Sequence, residues 1–148
     1  MRHRWTGALA VSLAVSGCDG PVGPADRLDL VVSTDKAEYS LAADSVSRVT
    51  LTNRSDRAVY LPMSTYVVYE TLRDGVWQDA LPWFGVDGVG ISFPLSPGES
   101  RGDDLSLRVY LPDQPGTYRF RYFAYADARL RFLIPVEERV SPPITIAR

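Results

Sequence analysis

Acid pairs, hydroxyls and one thiol are the groups in this 148-residue chain with the types needed for chemistry. Asp103-Asp104 closely follows Glu99, and Glu137-Glu138 forms a second pair. Paired carboxylates share a proton in general acid–base work or gather oxygen ligands around calcium. Adjacent residues of a strand point to opposite faces, and no spacing here matches an EF-hand loop, so both pairs read as solvated charge. Serine and threonine are plentiful, but a nucleophilic hydroxyl needs a positioned base. The only histidine, His3, and the only cysteine, Cys18, both lie near the amino terminus.

The surroundings of that cysteine explain its place. Arg2 and Arg4 precede a largely apolar run from Trp5 to Val15, the layout of a secretory signal, and the run is shorter than the ~20 apolar residues that span a bilayer. It ends in Leu13-Ala14-Val15-Ser16-Gly17-Cys18, which resembles the lipobox of bacterial lipoproteins. The resemblance implies cleavage between Gly17 and Cys18, a diacylglycerol on the Cys18 sulfur and acylation of the new amino terminus. Two or more acyl chains, at about 0.8 kcal/mol per buried methylene, hold a protein on a membrane where one does not. Asp19, next in the chain, resembles an inner-membrane retention signal of enteric bacteria. Residues 1–17 are thus expected to be a lipoprotein signal peptide, 18–27 the lipidated cysteine with a flexible tether, and 28–148 one domain in the cell envelope, outside the cytoplasm.

Cleavage has chemical consequences. It removes His3, and acylation occupies Cys18, so a Ser-His-Asp triad, a Cys-His dyad, an ordinary zinc site and a disulfide all lack their parts. Loss of Arg2 and Arg4 leaves fourteen basic against eighteen acidic residues, a formal charge of −4 that does not favour nucleic acid. No metal, cofactor or catalytic residue is expected.

Binding is the remaining class. The stretch Ala80 to Phe93, which begins Ala-Leu-Pro-Trp-Phe and is rich in glycine afterwards, is too apolar for an ordinary solvated loop. Trp83 and Phe84 near its tip are expected to anchor a protein partner, as aromatics do in interface hot spots, or else to cap the open end of the domain. Trp77, Trp83, Tyr66 and Tyr69 would form a carbohydrate platform if they lay on one face. Arg119, Arg121, Arg129 and Arg131 would form a basic stripe toward anionic headgroups if their segments paired, and otherwise a solvated sheet face that discourages edge pairing.

Short strands must position these groups. Asp19 to Asp26 reads DGPVGPAD, a tether reaching at most ~26 Å at ~3.3 Å per residue. Beyond it, period-two alternation recurs between turn signals: Leu28 to Val32, Arg48 to Asn53, Ala58 to Leu61, Tyr66 to Leu72 with Val76 to Gln78, Leu105 to Leu111, Thr117 to Tyr125 and Ile144 to Ala147. Turns are expected at Asn53 to Asp56, at Arg73-Asp74-Gly75 and at Pro97-Gly98. Ala124 to Phe132 suits a helical turn or a long hairpin arm. Seven to eight strands spaced this closely predict an all-β antiparallel sandwich with Trp77, Tyr118 and Phe120 in its core.

Asp113-Gln114-Pro115-Gly116-Thr117-Tyr118-Arg119-Phe120 resembles the entry to the penultimate strand of immunoglobulin-like domains. The resemblance implies that Tyr118 is a corner tyrosine, its hydroxyl bonded to upstream backbone, and that Phe120 fills the place of a disulfide cysteine. With Leu51-Thr52-Asn53-Arg54-Ser55, Asp74-Gly75-Val76-Trp77 and Leu95-Ser96-Pro97-Gly98-Glu99-Ser100, it is similar to bacterial Ig-like modules, including the intracellular proteinase inhibitor (BsuPI) type. That likeness implies protease inhibition by an exposed loop as the alternative to a scaffolding role.

Overall fold

The computed structural model describes residues 28–63, 66–80, 91–107 and 114–148. Cys18, Trp83, Phe84, residues 1–17 and 18–27 expected as signal peptide and tether, and Val109 to Leu111 therefore lie outside the described residues. Among the described residues ten strands follow one another: β1 Leu30–Thr34, β2 Glu38–Ser40, β3 Val46–Asn53, β4 Val59–Pro62, β5 Val67–Arg73, β6 Val76–Asp79, β7 Ser92–Leu95, β8 Ser100–Ser106, β9 Gly116–Tyr122 and β10 Ile144–Ala147. The count exceeds the expected seven or eight because short pieces such as β2 and β7 pair in their own right.

These strands form a three-stranded sheet in the order β1-β3-β8, a five-stranded sheet in the order β2-β10-β9-β5-β6, and a ribbon of β4 with β7. All pairings are antiparallel except β2 with β10. The opening edge of the chain thus serves both sheets, β1 on one and β2 beside the last strand of the other. This order is that of an all-β, immunoglobulin-like sandwich.

Alternation sets the faces. In β9, Tyr118, Phe120 and Tyr122 are buried while Arg119 and Arg121 face outward; in β3, Val49 and Leu51 are buried between polar neighbours. Phe120 lies against the Tyr69 ring at 4.7 Å, and burial of a ring of that size contributes roughly 2–3 kcal/mol. Ser47, fully buried on β3, meets the Tyr69 hydroxyl at 2.8 Å and so ties one sheet to the other with a satisfied polar pair. The Tyr118 hydroxyl donates to the Gln114 carbonyl at 2.8 Å, four residues upstream.

Turn chemistry follows from particular residues. Asp74 and Gly75 both have positive φ, 51° and 78°, which closes the β5–β6 hairpin in two residues. Asn53, fully buried, donates its amide to the carbonyls of Arg57 and Leu95 at 2.8 and 2.9 Å, and its carbonyl accepts from the Ser55 N–H at 3.0 Å. One side chain thereby holds the end of β3, the following turn and the ribbon together.

Ala124 to Phe132 is not helix but the first arm and turn of a short hairpin: the Ala126 N–H donates to the Phe132 carbonyl at 2.8 Å and the Ile134 N–H to the Ala124 carbonyl at 3.0 Å. Tyr125 bridges both Tyr60 and Leu133, and a tight turn lies between. The Asp127 carboxylate fixes that turn by accepting from the N–H groups of Arg131 at 2.8 Å and Phe132 at 3.1 Å. Side-chain capping of this kind competes with helix, which is why helix-forming composition did not decide the outcome.

Candidate functional site

Asp103 and Asp104 part, and Asp103 is not the solvated charge expected of it: its side chain is 12% exposed, whereas that of Asp104 is 54% exposed. On β8, Asp103 faces inward between the sheets and Asp104 faces out, where Arg48 grips it with two hydrogen bonds of 2.7 and 3.0 Å. The Asp103 carboxylate accepts from the hydroxyls of Tyr66 and of Tyr122, the latter at 3.0 Å. Arg101 donates to the Tyr66 hydroxyl at 2.9 Å and lies over the rings of Tyr66 and Phe93. Burial first, then the Asp103 carboxylate, raises both phenols above their ordinary range, so they remain protonated donors at neutral pH. Each carboxylate oxygen is therefore occupied by a hydroxyl. Such an arrangement clamps the two sheets, because Asp103 belongs to β8 and its two donors to β9 and to the residue just before β5.

Glu99 closes its own turn by accepting from the Ser96 N–H at 2.8 Å. Glu137 and Glu138 lie in a single 3-10 turn, Val136–Glu138, and with Leu28, Asp29 and Leu30 they line an open groove of about 340 Å³. Among the described residues, no group of three or more acidic, histidine or cysteine side chains converges for a metal ion, and no helix is long and apolar enough to cross a membrane.

The outer face of the five-stranded sheet corrects two expectations. Trp77 is not a core residue: opposite Leu72 in the β5–β6 pairing, it faces outward, half-buried, with the Arg119 guanidinium 4.4 Å from its ring. Nor do the four arginines form a stripe. Arg119 and Arg121 close over Glu70, and Arg121 also reaches Asp79 at 2.6 Å, whereas Arg131 sits in the distant turn paired with Asp127 at 2.9 Å. Beside them Arg139 is buried, donating to the carbonyls of Ile134 and Tyr122 at 2.7 and 2.6 Å. Burial, then the neighbouring Arg121 charge, lowers its pKa.

The aromatic platform is likewise divided. Tyr69 is in the core, Tyr66 stacks on Tyr122 between the sheets, and Trp77 is on the outer face.

Apolar side chains emerge instead at one end. Met63 is 65% exposed and Ile91 54%, joined by the Met63 N–H to Ile91 carbonyl bond of 3.0 Å. Segment 81–90, with Trp83 and Phe84, departs from Ala80 after β6 and returns at Ile91. Close by, the Ser92 hydroxyl donates to the Ala128 carbonyl at 2.8 Å, which ties the ribbon to the turn bearing Phe132, 61% exposed, and Leu133, 45% exposed. Sequence reasoning did not single out Phe132, Leu133, Met63 or Ile91. The signal available was the run Phe132-Leu133-Ile134-Pro135-Val136, whose mixed burial becomes apparent only once Ile134 is seen to enter the core.

No family model matches the chain, and no curated protein does. Among solved structures, a CARDB domain from Pyrococcus furiosus, described in complex with di-metal ions, is similar at 14% identity and a TM-score of 0.40 over 82% of this chain and 90% of that one. A beta-glucosidase from Listeria innocua, described in complex with glucose, is similar at 16% identity and a TM-score of 0.34, with 82% of this chain covering 16% of the enzyme.

Proposed function

We propose that the chain is a non-catalytic envelope lipoprotein, anchored through Cys18, whose Ig-like sandwich binds or scaffolds a protein partner through the segment around Trp83 and Phe84. The observation that carries this reading is the exposed pair Met63 and Ile91, hydrogen-bonded to each other at the foot of that segment. Single exposed apolar residues are ordinary on a protein surface. Two adjoining ones beside a segment with two large aromatics make the start of an adhesive patch with the composition of interface cores.

Anchoring adds to such a patch. Confinement to a membrane raises the effective concentration of any partner on the same surface, so a modest contact area suffices. A rigid sandwich supports this role because the Asp103 clamp and the Ser47–Tyr69 pair fix the two sheets relative to each other.

Two experiments test the two halves. Incorporation of an alkynyl fatty acid into the protein in cells, lost in Cys18→Ala, supports the anchor; label retained in that variant refutes it. In-cell crosslinking and mass spectrometry, comparing the anchored protein with its Trp83→Ala, Phe84→Ala double variant, tests the contact. A partner captured only by the unaltered protein supports the interaction module. If that partner is a protease and the purified domain inhibits it stoichiometrically, the inhibitor reading takes over.

A further inference from the structure

We infer that the end of the sandwich at which the chain enters rests on the lipid bilayer itself, with Phe132, Leu133 and Val136 inserted among the headgroups. This placement rests on the anchored reading above and adds to it an orientation and a second, lipid-facing contact.

The position of the chain's entry comes first. Asp29 is held by two bonds, its N–H to the Ser55 hydroxyl at 3.0 Å and its carbonyl from the Arg54 N–H at 2.8 Å. Leu28 to Leu30 line the same groove as Glu137 and Glu138, directly after Val136 in sequence. The nine residues from Asp19 to Arg27 reach at most ~30 Å at ~3.3 Å each, so an acylated Cys18 keeps this end close to the lipid.

Exposure is polarised accordingly. Phe132, Leu133 and Val136 are exposed on the segment that crosses this end. The other exposed apolar residues of the sheets, Val46, Leu72 and Val76, lie at the opposite end, beside the start of β3 and the β5–β6 hairpin. Phe132 and Leu133 at one turn, with Val136 in the 3-10 turn that follows, are suited to the apolar–polar boundary of a bilayer beside a lipid-bearing terminus.

The turn is built to present them. Asp127 accepts from the backbone N–H groups of Arg131 and Phe132 and from the Arg131 guanidinium, and Leu130 is held at φ 55°, in the left-handed region that a leucine seldom adopts. Phe132 is thereby fixed outward with Arg131 5.2 Å from its ring. Charge does not select the leaflet: the segment 127–138 carries Asp127, Glu137 and Glu138 as well as Arg129 and Arg131. Adhesion therefore comes from apolar burial, and high salt should leave it intact. Met63 and Ile91 open at the same end, tied to this turn through the Ser92–Ala128 bond, so a partner that meets them does so at the membrane surface.

The test uses the chain from Cys18 onward, coupled through the Cys18 thiol to a maleimide lipid in phosphatidylcholine vesicles, with amide hydrogen exchange as readout. The reference is the same protein capped with a soluble maleimide. On vesicles, exchange of the amides between residues 126 and 136 should slow severalfold, in low and high salt alike, and the effect should vanish in an equally coupled Phe132→Ser, Leu133→Ser variant with unchanged circular dichroism. Equal exchange on vesicles and in solution would overturn the placement, as would slowing that survives in the variant. Slowing that appears in solution on raising the protein concentration would overturn it in favour of a second copy. Because the linkage is chemical, failure here is separable from failure of Cys18 acylation in cells.

Discussion

Arg119 closes over Glu70 with Nε 2.5 Å from a carboxylate oxygen, and this one contact buries an acid on the outward face of the five-stranded sheet. Glu70 is 5% exposed although its strand position points away from the core. Arg121 approaches the other oxygen at 3.2 Å, so two guanidinium groups share a single carboxylate and depend on it.

Removing that carboxylate leaves two neighbouring cations with only Asp79 between them. Glu70→Ala should cost about 2 kcal/mol of stability, below the ~3–5 kcal/mol of a fully buried pair because both arginines keep some water. Glu70→Gln, which retains hydrogen-bonding oxygen but no charge, should cost less. Denaturant melts of the two variants check the order; equal and negligible losses would show that the arginines relax into solvent.

The same contact explains which parts of the fold were legible in the sequence. β9 and β10 were, because each alternates strictly between apolar and polar residues and is bounded by Pro-Gly or Pro-Pro. β5 and β6 were legible as strands but not in facing. Val67, Val68, Tyr69 and Leu72 put apolar side chains on both sides, and only the pairing of Glu70 with Arg119 assigns the parity. Trp77 follows Leu72 outward for that reason, and a tryptophan shielded by a guanidinium has the composition of a core residue without its position. β2 was invisible because three residues with one buried side chain, Tyr39, carry no period. Separation of Asp103 from Asp104 followed directly from strand geometry, whereas the partners of Asp103 come from β9 and from Tyr66, just before β5, which no local pattern reveals.

Asn53 offers a sharper stability test than any apolar residue. Its amide satisfies two backbone carbonyls and its oxygen one N–H, all near the end of β3. Asn53→Ala strands these groups, of which the Leu95 carbonyl lies in a buried contact, and should cost about 3 kcal/mol. Asn53→Asp preserves only the acceptor and should be nearly as damaging. A loss under about 1 kcal/mol, by chemical denaturation, would mean that water replaces the side chain.

Tyr118→Phe isolates the corner hydroxyl. The ring stays packed, the Gln114 carbonyl loses its donor, and the expected cost is about 1 kcal/mol with strand order unchanged. Partner capture should be unaffected, since Tyr118 is far from the apolar end. A variant that folds normally yet loses its partner would contradict that separation.

Acid sensitivity is set by carboxylates held below their ordinary value. Burial alone would raise Asp35, but the Tyr39 hydroxyl at 2.6 Å and the Arg48 N–H at 2.8 Å outweigh it and bring the pKa below 3.8. Asp127 follows the same balance, with burial opposed by Arg131 and Phe132. A carboxyl depressed in the folded state contributes stability that is fully present above its unfolded pKa and is lost as pH falls through the folded one. Thermal midpoints should therefore be insensitive to these two groups between neutrality and about pH 5, then fall below about pH 4. Asp35→Asn should melt lower at neutral pH and lose less on acidification, because the depressed carboxyl has gone. A parallel acid profile for wild type and variant would place the sensitivity elsewhere, and the same comparison at Asp127 would then show whether the turn that presents Phe132 is the part that loosens in acid.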